Sequence, residues 1–82
     1  MRYRIVVDVM LKPAILDPAG QATERVLQKM GFAVDAVRIG KQIAVETEAG
    51  SPEEAIATGQ QMAQRLLANP VMEDFHVSVT VS

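Results

Sequence analysis

Gly40-Lys41 is the point at which the chain comes nearest to a phosphate-binding loop. A P-loop needs an upstream glycine, a Ser or Thr after the lysine, and a helix that opens directly behind it, so that backbone N–H groups surround the phosphate. All three are missing here, and the dipeptide lies between two apolar alternations, where a hairpin tip is the simpler reading. Lys41, Lys12 and Arg38 together could still meet an acidic partner or a phosphate. His76 is the only histidine, and no Ser, Cys or second His is placed by sequence to form a relay with it, so it reads as a solvated or interface side chain. The acidic pairs Glu53-Glu54 and Glu73-Asp74 have plainer explanations than acid–base catalysis. The first pair opens a helix and the second precedes a strand in a solvated turn. Asp17 reads as a helix cap. Cysteine is absent, which excludes disulfides, thiolate metal sites and Cys nucleophiles. Met30 and Met62 fall at helix positions expected to face a core. From the residues alone, no active site assembles.

The elements that would position these residues follow from periodicity. Tyr3, Ile5, Val7, Val9 and Leu11 alternate with Arg4, Val6, Asp8 and Met10, the period-two signature of a strand with the first set inward. Val6 and Met10 leave the outer face only half polar, which points to contact with another subunit. Leu11 to Gly20 then forms a connector containing two prolines. Pro13 ends the strand, and Asp17-Pro18 starts a helix with Asp17 as cap and Pro18 in the first turn. Ala14-Ile15-Leu16 between them is either stapled to the core or kept as a docking surface, and the sequence leaves both open.

A helix is predicted over 18–30, with Ala22, Val26, Leu27 and Met30 on one stripe and Gly31 in the left-handed closing position. Phe32 is expected to contact the last turn. Val34, Val37 and Ile39, followed by Ile43, Val45 and Thr47, predict a hairpin. Parity favours a three-residue loop over Gly40 to Gln42, which sets Ile39 opposite Ile43 and Val37 opposite Val45. Ser51-Pro52-Glu53-Glu54 predicts a second helix with a capping box, carrying Ile56, Gly59, Met62, Ala63, Leu66 and Leu67 inward and stopped at Asn69-Pro70. Phe75, Val77, Val79 and Val81 complete a last strand.

The order βαββαβ predicts an α+β, ferredoxin-like two-layer sandwich, a four-stranded antiparallel sheet with two helices on one face. At 82 residues it is a single domain spanning 1–82. So small a domain buries only about 60% of its unfolded surface, so a partner subunit is a natural source of stability. A net charge of −2 gives no footprint for nucleic acid or an anionic membrane. No signal peptide or membrane span is expected, which predicts a soluble, cytoplasmic protein.

Taken in order, Leu11-Lys12, Ile15-Leu16-Asp17-Pro18-x-Gly20, Met30-Gly31-Phe32, Val37-Arg38-x-Gly40-Lys41 and Leu66-Leu67-Ala68-Asn69-Pro70-Val71-x-Glu73-Asp74 resemble the PurS family. This is the small subunit of the three-part phosphoribosylformylglycinamidine synthase, and the resemblance covers essentially the whole chain. Phe75 departs from it where tyrosine is expected in relatives. The resemblance implies an accessory subunit with no catalytic residues or bound cofactor of its own. In such a complex a glutaminase subunit (PurQ-like) releases ammonia. A synthetase subunit (PurL-like) uses ATP and Mg to join the ammonia to formylglycinamide ribonucleotide. The small subunit, a homodimer or tetramer, would bridge the two and assist ammonia transfer. Candidate partner-contact residues are Lys12, Asp17, Pro18, Gly20, Arg38, Gly40, Lys41, Asn69, Pro70, Glu73 and Asp74. The competing expectation is a ferredoxin-like regulatory domain that binds a small molecule such as an amino acid. A small acyl- or phosphate-processing enzyme on the same fold would need an anion-binding glycine loop with an arginine beside it, and no such loop is found.

Overall fold

The computed structural model describes residues 1–82 and contains three strands, two α-helices and one π turn. β1 spans Arg2–Leu11, α1 Pro18–Lys29, β2 Lys41–Glu48, α2 Pro52–Met62 and β3 Glu73–Val81, with a π turn over Ala63–Leu67 at the end of α2. The sheet order is β2-β1-β3, with both pairings antiparallel. Ile5 sits opposite Val45 on one side and Val79 on the other, so the inward alternation of all three strands coincides. Tyr3, Ile5, Val7 and Val9 are buried, as their period predicts.

The four-stranded sheet is corrected to three strands. Residues 34–39 form an extended strap outside the sheet, and Ile39 has no cross-strand partner at Ile43, which instead faces Val7. The reason is competition for backbone hydrogen bonds. The Ile39 N–H donates to Asp17 Oδ2 at 2.7 Å, and the Val34 carbonyl accepts from Gln28 Nε2 at 3.2 Å. Groups so engaged are not free to build a ladder.

The second correction concerns the helices: only α2 packs on the sheet. Its small residues Ala55 and Gly59, with Ala63 at the start of the π turn, let it lie close over β1 and β3, and all three are buried. A Cβ at Gly59 would come within 2.6 Å of Ile5 Cγ2 and 2.8 Å of Val77 Cγ1, so the missing side chain is what allows this approach. Ser51 Oγ accepts the Glu54 N–H at 3.1 Å. Glu54 reaches back to the N–H of Gly50, one residue before the expected partner. Ser51→Ala is expected to cost about 1 kcal/mol, read as a lower urea midpoint at unchanged slope. The Ala68 N–H donates to the Ala63 carbonyl across the widened last turn, just before Asn69-Pro70 stops the helix.

α1 leaves the sheet altogether. Only Gly20 is buried along it, while Val26 is 55% exposed, Met30 66% and the following Phe32 56%. The apolar stripe predicted to face the core therefore faces outward, and Met30 is not a core residue. The helix still closes as expected. Gly31 has φ +98, its N–H donates to Gln28 and the Phe32 N–H donates to Leu27, a Schellman end. The molecule measures 50 × 26 × 14 Å with a radius of gyration of 16.0 Å, against about 12 Å for a globular chain of this length.

Candidate functional site

Residues 12–40 form an arm whose two ends leave the same end of the β1–β2 pair, where Val9 faces Lys41. Of the predicted contact residues, Asp17, Gly20, Arg38 and Gly40 gather at its base. Asp17 is a buried carboxylate. Its Oδ1 accepts the Gly20 N–H at 2.9 Å and caps α1, as its sequence position implies, while Oδ2 accepts the Ile39 N–H from the strap. These hydrogen bonds, from Ile39 first and then Gly20, with Arg38 nearby, hold the carboxyl below the usual aspartate range against the opposing effect of burial. The guanidinium of Arg38 donates to the carbonyls of Lys12 at 3.0 Å and Ile15 at 2.9 Å. Gly20 touches the strap so closely that a Cβ would collide with the Val37 carbonyl oxygen. Gly40 is similarly tight against Val9 and Met10.

Because Asp17 is acidified by contacts present only in the folded arm, its stabilising effect is full above the unfolded carboxyl pKa. It is lost as pH falls through the lower folded value. Amide exchange at Ile39 and Gly20, corrected for intrinsic rate, is expected to rise as pH is lowered from neutral through and below the ordinary aspartate range. The backbone signals of the sheet serve as control.

The remaining predicted residues lie next to this base. Lys12 Nζ is 2.7 Å from Asp74 Oδ1, and the Lys12 N–H donates to the Met72 carbonyl. Glu73 Oε1 accepts the Asn69 N–H at 2.7 Å, and Asn69 Oδ1 accepts that of Val71, so Glu73 and Asn69 serve the turn that Pro70 fixes. Lys41 lines a small cleft with Leu11, Ile39 and Glu73. The three cations do not converge on one point, since Lys12 pairs with Asp74 and Arg38 is occupied by carbonyls. No group of three or more His, Cys, Asp or Glu side chains is placed to hold a metal ion. His76 lies opposite Asp8 on the outer sheet face, where Asp8 accepts from Gln42. The same face pairs Arg4 with Glu46, whose carboxyl Arg4 and Ser82 hold below its usual range.

Sequence periodicity did not reveal the apolar surface. A groove of about 430 Å³ runs between β2 and the flank of α2, lined by Val45, Met62, Leu66 and Leu67 with Thr58, Gln61 and Arg65. It occupies the sheet face that the absent first helix of a two-helix sandwich would cover. Leu66 is 83% exposed and Val71 78%. Of the connector, Ile15 is half-buried and Leu16 is exposed, so the staple and the docking surface divide between neighbouring residues.

An α+β domain with one helix on its sheet, a second held away on an arm, and apolar surface on both belongs to the class of small assembly domains. Known proteins specify the class further. The family model PurS: Phosphoribosylformylglycinamidine (FGAM) synthase matches residues 4–81. A Synechocystis phosphoribosylformylglycinamidine synthase subunit PurS is 43% identical over 81 residues, 95% of this chain and 79% of that one. PurS of Methanocaldococcus jannaschii is described as one of the subunits of formylglycinamide ribonucleotide amidotransferase in the purine biosynthetic pathway. Its crystal structure superposes with a TM-score of 0.86 at 31% identity, covering 98% of both chains. A chain in the structure of PurLQS from Thermotoga maritima gives 0.89 at 33%, covering 98% of this chain and 99% of that one. The chain belongs to the PurS family, and it is a subunit of FGAM synthase. No helix is long and apolar enough to cross a membrane.

Proposed function

We propose that the chain is a non-catalytic accessory subunit that docks a PurQ-like glutaminase onto a PurL-like synthetase and assists ammonia transfer between them. The complex uses ATP and Mg to convert formylglycinamide ribonucleotide to its amidine. The observation that carries this reading is the outward apolar face of α1, with Val26, Met30 and Phe32 exposed beside a well-packed sheet. Apolar surface gathered on an arm marks a protein contact. The presence of PurS with PurL and PurQ in the Thermotoga maritima assembly supports it. Lys12, Lys41 and Asp74 at the arm base, with Pro70 in the adjoining turn, are its candidate partner contacts.

The same surface supports a homodimer or a pair of dimers. The groove beside α2 is lined by Val45, Met62, Leu66 and Leu67, and the apolar face of α1 from a second copy is the occupant we place there, reciprocally, about a two-fold axis. Replacing Val26 and Phe32 together by Glu is expected to reduce the species seen by sedimentation velocity to single-chain mass. A double variant that sediments like the parent excludes this interface.

Reconstitution of the three proteins tests the functional reading. Omitting this chain is expected to abolish turnover with glutamine and leave turnover with ammonia within about twofold, since the synthetase chemistry is untouched. Unchanged glutamine-dependent turnover without it, or turnover by the isolated chain, overturns the proposal.

A further inference from the structure

Along α1 the arm over residues 12–40 buries only Gly20, whereas at its base Gly40 lies tight against Val9 and Met10 of the sheet. The arm's direction must come from contacts at the base. Four hydrogen bonds tie the base together. Asp17 takes one N–H from α1 and one from the strap, and Arg38 gives two bonds to the outgoing connector at Lys12 and Ile15. Each residue thus links the outgoing limb of the arm to the returning one. The close approach of Gly20 to the Val37 carbonyl brings the limbs near enough for these bonds to form. We infer that Asp17 and Arg38 are positioning residues of FGAM synthase: a two-residue clasp that fixes the arm and so the spacing of the subunits it joins.

The inference rests on the accessory role proposed above, and two readouts keep the two separable. The first needs no partner. Spin labels at Glu24→Cys on α1 and Thr80→Cys on the sheet, diluted with unlabelled chain, report the arm angle as a distance distribution. Asp17→Asn keeps an acceptor for Gly20 and places an N–H₂ against the Ile39 N–H. Arg38→Lys keeps the charge and loses the fork. Each is expected to broaden the distribution at least about twofold while sheet amides keep their protection. The second readout is the reconstituted complex. Both variants are expected to lower glutamine-dependent turnover at least about tenfold and leave ammonia-dependent turnover unchanged. Parent-like distances in both variants overturn the clasp, whatever the activity. Broadened distances with parent-like glutamine turnover overturn its positioning role. Parent-like activity when this chain is omitted overturns the accessory reading alone.

Discussion

Ile5→Ala is expected to destabilise the domain by about 2–5 kcal/mol. Ile5 is fully buried at the centre of β1, between Val45 and Val79, and lies directly under Gly59 of α2. Nothing flexible surrounds it, because its neighbours are strands on two sides and the backbone of a closely packed helix on the third. A chain of 82 residues has roughly 4–12 kcal/mol in total, so the substitution removes a large share of it. Gly59→Val approaches the same contact from the other side. Its branched side chain would need the space that the Ile5 and Val77 methyl groups occupy, and overpacking of this kind costs about 1–3 kcal/mol or more. Urea unfolding followed by far-ultraviolet circular dichroism checks both. Val81→Ala, at a position 62% exposed, is the control and should shift stability by less than about 0.5 kcal/mol. A loss below about 1 kcal/mol for Ile5→Ala would show that the helix relaxes into the space, contrary to a rigidly packed pair.

Gly20→Ala is expected to have a large effect of a different kind, confined to the arm. The added methyl group would collide with the Val37 carbonyl oxygen and meet the Asp17 carboxylate at 2.7 Å. A backbone oxygen cannot turn aside as a side-chain tip does, so the strap must part from α1 at a cost of about 1–3 kcal/mol. Helix propensity alone would make the same change favourable by up to about 1 kcal/mol, which gives the prediction a clear sign. Amide exchange should accelerate at Gln21, Ile39 and along α1 and remain slow in β1. Uniformly slow exchange, with Ile39 still protected, would show that the close contact is not needed to hold the strap.

Much of the sheet was legible in the sequence, because burial on one face of a strand forces a period of two. Tyr3 to Val9 and Phe75 to Val79 obey it, and their pairing follows. The caps were also legible, since Asp17-Pro18, Ser51-Pro52 and Gly31 are local chemistry that does not depend on tertiary context. The strap was misread because Val34, Val37 and Ile39 alternate as a strand does. The Ile39 N–H is taken by Asp17 and the Val34 carbonyl by Gln28, and periodicity does not register such capture. The helix stripe misled in a related way. Val26 and Met30 are apolar at helical spacing whether the surface that covers them is their own sheet or another chain. The contact residues at the arm base came from the family resemblance, and the structure supplies physical reasons for several of them. Asp17 and Arg38 close the base, Gly20 and Gly40 permit close approach, and Asn69 with Glu73 builds a turn.

β3 lies at one margin of the sheet, and its outer backbone has no neighbour. From Phe75 to Val81 it alternates valine with His, Ser and Thr and carries no carboxylate, lysine or proline. Such a margin recruits like segments into cross-β stacks when no other chain occupies it. Synthesis of the chain in excess of its companions is therefore expected to favour such stacking, with Glu73 and Asp74 at the start of β3 as the charged guard against it, and co-production in matched amounts to suppress it.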